Sequence, residues 1–326
     1  MATAATVAPR VRPEGRALRF LRRLKTGDEI ARLVALTAAS TVVLITLLFV
    51  YQLWTQSALT RHKFGWSFLF TQGWDTLNDK YGALAYVFGT ATTSILALLI
   101  AVPLGVGAAI FLAELAPPRL SDALTFLIEL LAAIPSVIIG LIGLFVLAPV
   151  LESSVVPLIK HVFGFLPIFQ GTFYGFSIFT AGIVLAVMIV PFIISVSREV
   201  LLAVPRDLRE AALAVGATKW ESTWQVVVPF ARSGIFGSIF LALARALGET
   251  MAVTMVIGNS DFISKSIFAP GYSIAAKLAN GFGEATTGSP ILSALVELGL
   301  VLFALTIVIN GAARLLILMT TAKGTK

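Results

Sequence analysis

Apolar and polar positions along this chain come in long blocks rather than with the period of an amphipathic helix. Runs of about 20 apolar residues are needed to cross a bilayer core of roughly 30 Å. They fall near 31–53, 84–113, 124–150, 174–197, 233–258 and 291–318. Six transmembrane helices are predicted. Between the first two, Phe64 to Gly82 is too polar to cross and too apolar for a free loop, which predicts an interfacial helix or a plug over the outer face. Asn259 to Pro290 is similarly mixed, with Pro270-Gly271 as a turn signal. Pro103, Pro135 and Pro191 lie inside predicted spans, so kinks are expected, with neighbouring helices satisfying the freed carbonyls.

Composition agrees with a membrane location. The chain is 58% hydrophobic and 13% charged with a mean hydropathy of +0.94, against roughly 25% charged in ordinary soluble domains. A soluble globule could not hide that much apolar surface. With no cysteine and two histidines, His62 and His161, both in loops, there is no thiolate site and little for zinc chemistry.

Charge decides the orientation. Residues 1–32 carry Arg10, Arg12, Arg16, Arg19, Arg22, Arg23, Lys25 and Arg32 against Glu14, Asp28 and Glu29. A basic stretch just before a span reads as a cytoplasmic topology determinant touching membrane lipid, rather than as a nucleic-acid arm. The apolar run that follows is full spanning length and is expected to remain as the first helix rather than be cleaved as a signal peptide. With the N-terminus inside, the cytoplasmic segments also collect Arg119, Arg198, Arg206, Arg209, Lys219, Arg232, Arg314, Lys323 and Lys326. Only Arg61, Lys63, Lys80, Lys160, Lys265 and Lys277 fall outside. Both termini are therefore expected in the cytoplasm. Trp54, Trp66, Trp74 and Tyr81 gather on the outer side, as interfacial aromatics do. The predicted organisation is a basic arm (1–30), one transmembrane domain (31–318) with a cytoplasmic loop at 198–232, and a short cytoplasmic tail (319–326).

Within that loop, Arg198 to Ala214 is rich in helix formers, and Pro205 precedes a second helix whose first turn carries Asp207, as the helix dipole favours. Ala211, Ala212 and Val215 are expected to line one side, where small side chains let another protein approach the backbone closely. Gly216 then permits a sharp turn. On physics alone an ordinary amphipathic connector is the competing reading. Glu210-Ala211-Ala212-x3-Gly216, followed after nine residues by Val226-x-Val228-Pro229, resembles the EAA loop of ATP-binding-cassette importer permeases, with valines where that family has isoleucine and leucine.

Four further segments narrow the resemblance: Trp74-Asp75-x2-Asn78-Asp79-x-Tyr81-Gly82-Ala83-Leu84, Glu114-Leu115-Ala116-Pro117, Ile128-Glu129-Leu130-Leu131-Ala132-Ala133-Ile134-Pro135-Ser136, and Arg245-Ala246-Leu247-Gly248-Glu249-Thr250-Met251-Ala252-Val253-Thr254. Together they resemble phosphate-specific importer permeases of the PstC type, from about Leu33 to Leu318. The resemblance implies an all-α, polytopic inner-membrane protein with the type I importer permease (MetI-like) fold. It also implies the partners of such a system: a second homologous permease (PstA-like), two ATP-binding subunits (PstB-like) and an extracytoplasmic phosphate-binding protein (PstS-like). ATP and Mg would sit on the partner ATPase, and no cofactor or metal on this chain. Glu210, Ala211, Ala212, Gly216 and Pro229 would be the residues that couple to the ATPase.

Inside the membrane the residues of interest are Arg245 and Glu249. At roughly 1.5 Å per residue from a helix start near Ser233, they lie roughly 18 Å and 24 Å in, near mid-membrane. Their i, i+4 spacing predicts one helix face and a mutual pair, and intramembrane ionisable groups are functional candidates by default. Two readings stand together: a structural ion pair, or an arginine fork offered to a passing anion and held by Glu249 until the anion arrives. Thr250, Thr254 and Asn259 are candidate neutral donors further along the path, although threonine in an apolar helix also bonds its own backbone. Glu129 and Glu297, near span ends, are expected to be structural. Glu114 and Asp122 are expected simply to face the cytoplasm.

The sequence has no G-x-x-x-x-G-K-[ST] loop, HExxH or GxSxG element, so ATP hydrolysis is expected on another chain. The alternatives to a phosphate permease are a permease of the same design for sulfate or molybdate, and an ion-coupled secondary transporter using Arg245 and Glu249 as a relay. The docking-type loop speaks against the last.

Overall fold

The computed structural model describes residues 28–322. The basic arm through residue 27, with its expected lipid contact, and the tail residues Lys323 and Lys326 lie outside the described residues. Six described helices are long and apolar enough to cross a membrane. The chain divides into two units at Thr55 and Gln56. The first is represented by helix α1 (Asp28–Gln56), apolar around its whole circumference, with exposed side chains. A helix of that length without a polar stripe suits a hydrocarbon environment.

The second unit begins with two short helices, α2 (Ala58–Phe64) and α3 (Ser67–Phe70), and a two-stranded hairpin, β1 (Trp74–Asp75) with β2 (Lys80–Tyr81). The segment expected to be an interfacial helix or plug is therefore mixed. The hairpin forms because Asp75 closes the turn: its Oδ1 accepts from the Leu77 and Asn78 amides, and its Oδ2 from the Asn78 side chain at 2.6 Å.

Five long helices follow with their connectors: α4 (Leu84–Leu115), α5 (Pro118–Ala132), α6 (Ser136–Phe163), α7 (Ile178–Leu202), α8 (Arg206–Ala214), α9 (Lys219–Leu247), α10 (Met251–Val256), α11 (Ile274–Gly281) and α12 (Pro290–Ala322). Helix α7 is the centre, packed along its length on α4 and then on α9. Ala97 and Ala101 of α4 face Ala181, Leu185, Ile189 and Ile193 of α7. Small residues on one helix let the backbones close up, which supplies the van der Waals contact that holds helices together in lipid. Gly89 makes the same argument near the start of α4: a Cβ there would stand 2.1 Å from the Tyr272 carbonyl oxygen.

Two expected spans are corrected. The third, expected at 124–150, is split into α5 and α6, because Pro135 has no amide proton and disfavours helical geometry at Ile134. Helix α6 then continues past the polar Glu152-Ser153-Ser154 by a π turn, Leu151–Val155. The fifth, expected as one helix over 233–258, begins at Lys219 and stops at Leu247. Glu129 lies exposed on α5 rather than inside a span, while Glu297 is buried on α12, 3.8 Å from the Arg61 Nε.

Candidate functional site

The loop at 198–232 is built by local chemistry. Pro205 precedes α8 and Asp207 sits in its first turn. Gly216, at φ 93°, ends it: its amide bonds the Leu213 carbonyl at 3.0 Å, and the Ala217 amide bonds the Ala212 carbonyl at 3.1 Å. That double bond pattern is a Schellman cap, for which a glycine in the left-handed region is suited. Thr218 and Glu221 then cap α9 reciprocally. A π turn over Thr223–Val227 precedes Pro229, whose missing amide proton falls where the helix ladder is already interrupted.

Burial divides the loop residues into two faces. Glu210, Ala211, Val215, Gly216 and Pro229 are exposed, Val215 to 86%. Ala212 is 9% exposed and faces the body of the protein, so it does not share an outer side with Ala211 and Val215 as expected. Two arginines brace the base of this loop. Arg198 Nη2 donates to Ser121 Oγ at 3.2 Å, and Ser121 Oγ donates to the Leu112 carbonyl at 2.8 Å. Arg209 grips Glu114 through Nη2 at 2.7 Å and Nε at 3.2 Å, and also donates to the carbonyls of Val204 and Leu201. Glu114 does not face the cytoplasm freely: its side chain is 10% exposed and that of Arg209 is 20% exposed. The one signal in the sequence was opposite charge ninety-five positions apart, which periodicity cannot connect.

In the membrane, Arg245 and Glu249 do not share a helix. Helix α9 ends at Leu247, Gly248 follows, and Glu249 Oε1 accepts from the Ala252 amide at 3.3 Å, closing the first turn of α10. Gly248 and Thr250 favour the break, since Thr250 Oγ1 donates back to the Gly248 carbonyl at 3.2 Å. Among the described residues no ion pair joins Arg245 to Glu249, and Arg245 is exposed. From Arg232 to Arg245 along α9 is about 20 Å at roughly 1.5 Å per residue, a depth at which a guanidinium facing lipid would be costly. The Thr254 hydroxyl donates to the Thr250 carbonyl at 2.6 Å and the Asn259 side chain to the Thr254 carbonyl at 3.0 Å. These three side chains thus order the local backbone. Thr254 and Asn259 also line a 280 Å³ cleft with Tyr174, Phe176, Met255, Gly258 and Pro270.

One cluster escaped the sequence reading. Outside the spans, the Lys277 ammonium lies 4.8 Å from the ring of Trp74, 5.2 Å from Tyr86 and 5.0 Å from Tyr272, and 3.2 Å from Asp261 Oδ1. Asp261 Oδ1 also accepts from the Tyr86 hydroxyl at 2.6 Å. Burial pushes the lysine pKa down and the Asp261 carboxylate pulls it back up. Cation–π and ionic contacts thus pin the hairpin, α4 and the segment between α10 and α12 together. No group of metal-binding side chains occurs among the described residues.

The family model described as "Binding-protein-dependent transport system inner membrane component" matches residues 101–318. A protein of Mesorhizobium japonicum named phosphate transport system permease protein PstC is 46% identical over 295 residues, covering 89% of this chain and 90% of its own. Proteins of the same name from Xylella fastidiosa and Haemophilus influenzae are 46% identical over 317 residues and 48% identical over 259, covering 95% and 78% of this chain and 95% and 82% of their own. In fold, the chain is similar to a subunit of a bacterial alginate ABC transporter, with a TM-score of 0.56 at 16% identity over 89% of this chain and 96% of that one. It is likewise similar to a chain of the MetNI methionine ABC transporter, with a TM-score of 0.52 at 17% identity over 72% and 96%.

Proposed function

Because the chain belongs to the binding-protein-dependent transport inner membrane components, and within them to the PstC phosphate permeases, we propose that it moves inorganic phosphate across the membrane as one half of a two-permease pathway. It is a multi-pass permease subunit of an ATP-driven importer and not itself an enzyme. The observation that carries the substrate is likeness to PstC proteins over nearly the whole length. Exposed Arg245, the only charged residue of α9 beyond Arg232, supports an anion as cargo. Phosphate carries one to two negative charges at neutral pH and needs a transient cation in low dielectric. In this reading a second permease apposes the Arg245 face, and an extracytoplasmic binding protein delivers phosphate. Two ATP-binding subunits, which hold ATP and Mg, dock on α8.

The test is to purify the chain with its co-isolating subunits, reconstitute it, and measure uptake of phosphate, sulfate and molybdate driven by ATP. Phosphate uptake alone is expected; sulfate or molybdate uptake without phosphate would overturn the substrate.

The proposed orientation has α8 inside and the hairpin outside, from the distribution of lysine and arginine. With no native cysteine, Val215→Cys and Leu77→Cys, both at exposed positions, report it directly. An impermeant thiol reagent applied to intact cells with a permeabilised outer envelope is expected to label Leu77→Cys and spare Val215→Cys. The reverse pattern would invert the topology.

A further inference from the structure

The contact between Arg209 and Glu114 is more than a local brace. Arg209 belongs to α8, the helix that the proposed function docks on the ATPase, and Glu114 to the last turn of α4, a core span. The guanidinium meets the carboxylate with Nε at 3.3 and 3.2 Å from its two oxygens and Nη2 at 2.7 Å. Two further contacts come from the same group, Nη1 to the Val204 carbonyl at 2.5 Å and Nη2 to the Leu201 carbonyl at 2.7 Å, at the end of α7. One planar side chain therefore ties α8, the end of α7 and the end of α4 at a single mostly buried point. A forked, charge-assisted contact fixes direction as well as distance, which a lysine at the same place would not do.

The α4 end of this contact departs from α-helical geometry. Glu114 lies in a π turn, Phe111–Leu115, in which the Ala116 amide bonds the Phe111 carbonyl at 2.8 Å. Such single wide turns recur at functional positions in helices. Above it, α4 packs along α7 and against α9. Ala97 and Ala101 share one buried cluster with Ala242 and Ala246 of α9 and with Ala252 and Val253 of α10. Ala246 is the neighbour of Arg245 in sequence. A continuous packed route thus runs from α8, through Arg209 and Glu114 and along α4, to the helix that carries Arg245.

We propose that Arg209 is the positioning residue that transmits movement of α8 to the α4 span through its fork on Glu114. The inference rests on the reading of this chain as an ATP-coupled permease. A close-packed interior passes on a displacement at its edge rather than absorbing it.

Two variants separate transmission from bracing. Arg209→Lys keeps the charge and loses the fork. The double change Arg209→Met with Glu114→Leu removes both charges together and leaves no unpaired buried ion, which protects the fold. The whole complex, with its ATPase and binding protein, is reconstituted for each. Phosphate uptake and ATP hydrolysis are then measured per assembled complex, with and without phosphate-loaded binding protein. In both variants the phosphate moved per ATP hydrolysed is expected to fall at least about tenfold, equivalent to about 1.4 kcal/mol of coupling. A merely structural pair would lower the yield of complex and leave that ratio unchanged. A ratio within twofold of the unaltered complex in either variant that assembles would overturn the proposal, and Arg209→Lys alone decides if the double variant does not assemble. If the unaltered complex shows no phosphate-stimulated hydrolysis, the substrate reading fails rather than the role of Arg209.

Discussion

Phosphate uptake is expected to fall at least about tenfold when Arg245 is replaced by glutamine, with assembly of the complex unchanged. A hydrogen bond to a charged group contributes about 1.5–3 kcal/mol, and about 1.4 kcal/mol is tenfold in rate or affinity. Glutamine keeps much of the side-chain volume and loses the charge. Arg245→Lys should recover little, since an ammonium does not reproduce the planar fork. The structure sharpens this expectation, because Arg245 has no ion pair with Glu249 that its loss would leave stranded. Glu249 instead accepts from the Ala252 amide, a contact that Glu249→Gln retains through its amide oxygen and Glu249→Ala does not. Uptake should therefore tolerate Glu249→Gln far better than Arg245→Gln. Equal losses in the two would point to a structural role for both, and near-normal uptake in Arg245→Gln would remove Arg245 from the pathway.

Detachment of the ATPase is the expected result of Ala211→Trp, whereas Ala212→Arg should fail earlier, at folding of the loop. Ala211 is exposed on α8, so an indole there meets only an incoming partner and blocks close approach of its surface. Ala212 is buried beside Arg209, so an added guanidinium would be an uncompensated buried charge next to an existing one. Stranding such a charge costs about 3–5 kcal/mol. The measurement is the amount of ATPase that co-purifies with the chain, alongside the amount of chain in the membrane. Ala211→Trp should leave the second quantity normal and abolish the first, and Ala212→Arg should lower both. Undiminished co-purification and uptake with Ala211→Trp would refute docking on this face.

Six spans, the likeness to importer permeases and the local build of the loop at 198–232 were readable along the chain, because each depends on neighbours in sequence. Span count follows from the length of apolar runs against bilayer thickness, and the end of α8 from a glycine at the cap position. Boundaries were less readable where polar residues are tolerated. Helix α6 passes Glu152-Ser153-Ser154, and α9 begins in the polar segment at Lys219. Intrahelical hydrogen bonding continues there whatever the side chains prefer.

What only the tertiary structure decided is which polar groups meet. Arg245 and Glu249, four apart, looked paired and are separated by the break at Gly248. Arg209 and Glu114, distant in sequence, looked unrelated and form a forked contact. Lys277 read as one more outer charge and sits among three aromatic rings. A single sequence carries the local periodicity that sets how much apolar surface each helix offers. The rotation and depth at which helices pack are set by small residues such as Ala97, Ala101 and Gly105. Those packing choices determine which charges are buried together, and desolvation then requires that each find a partner.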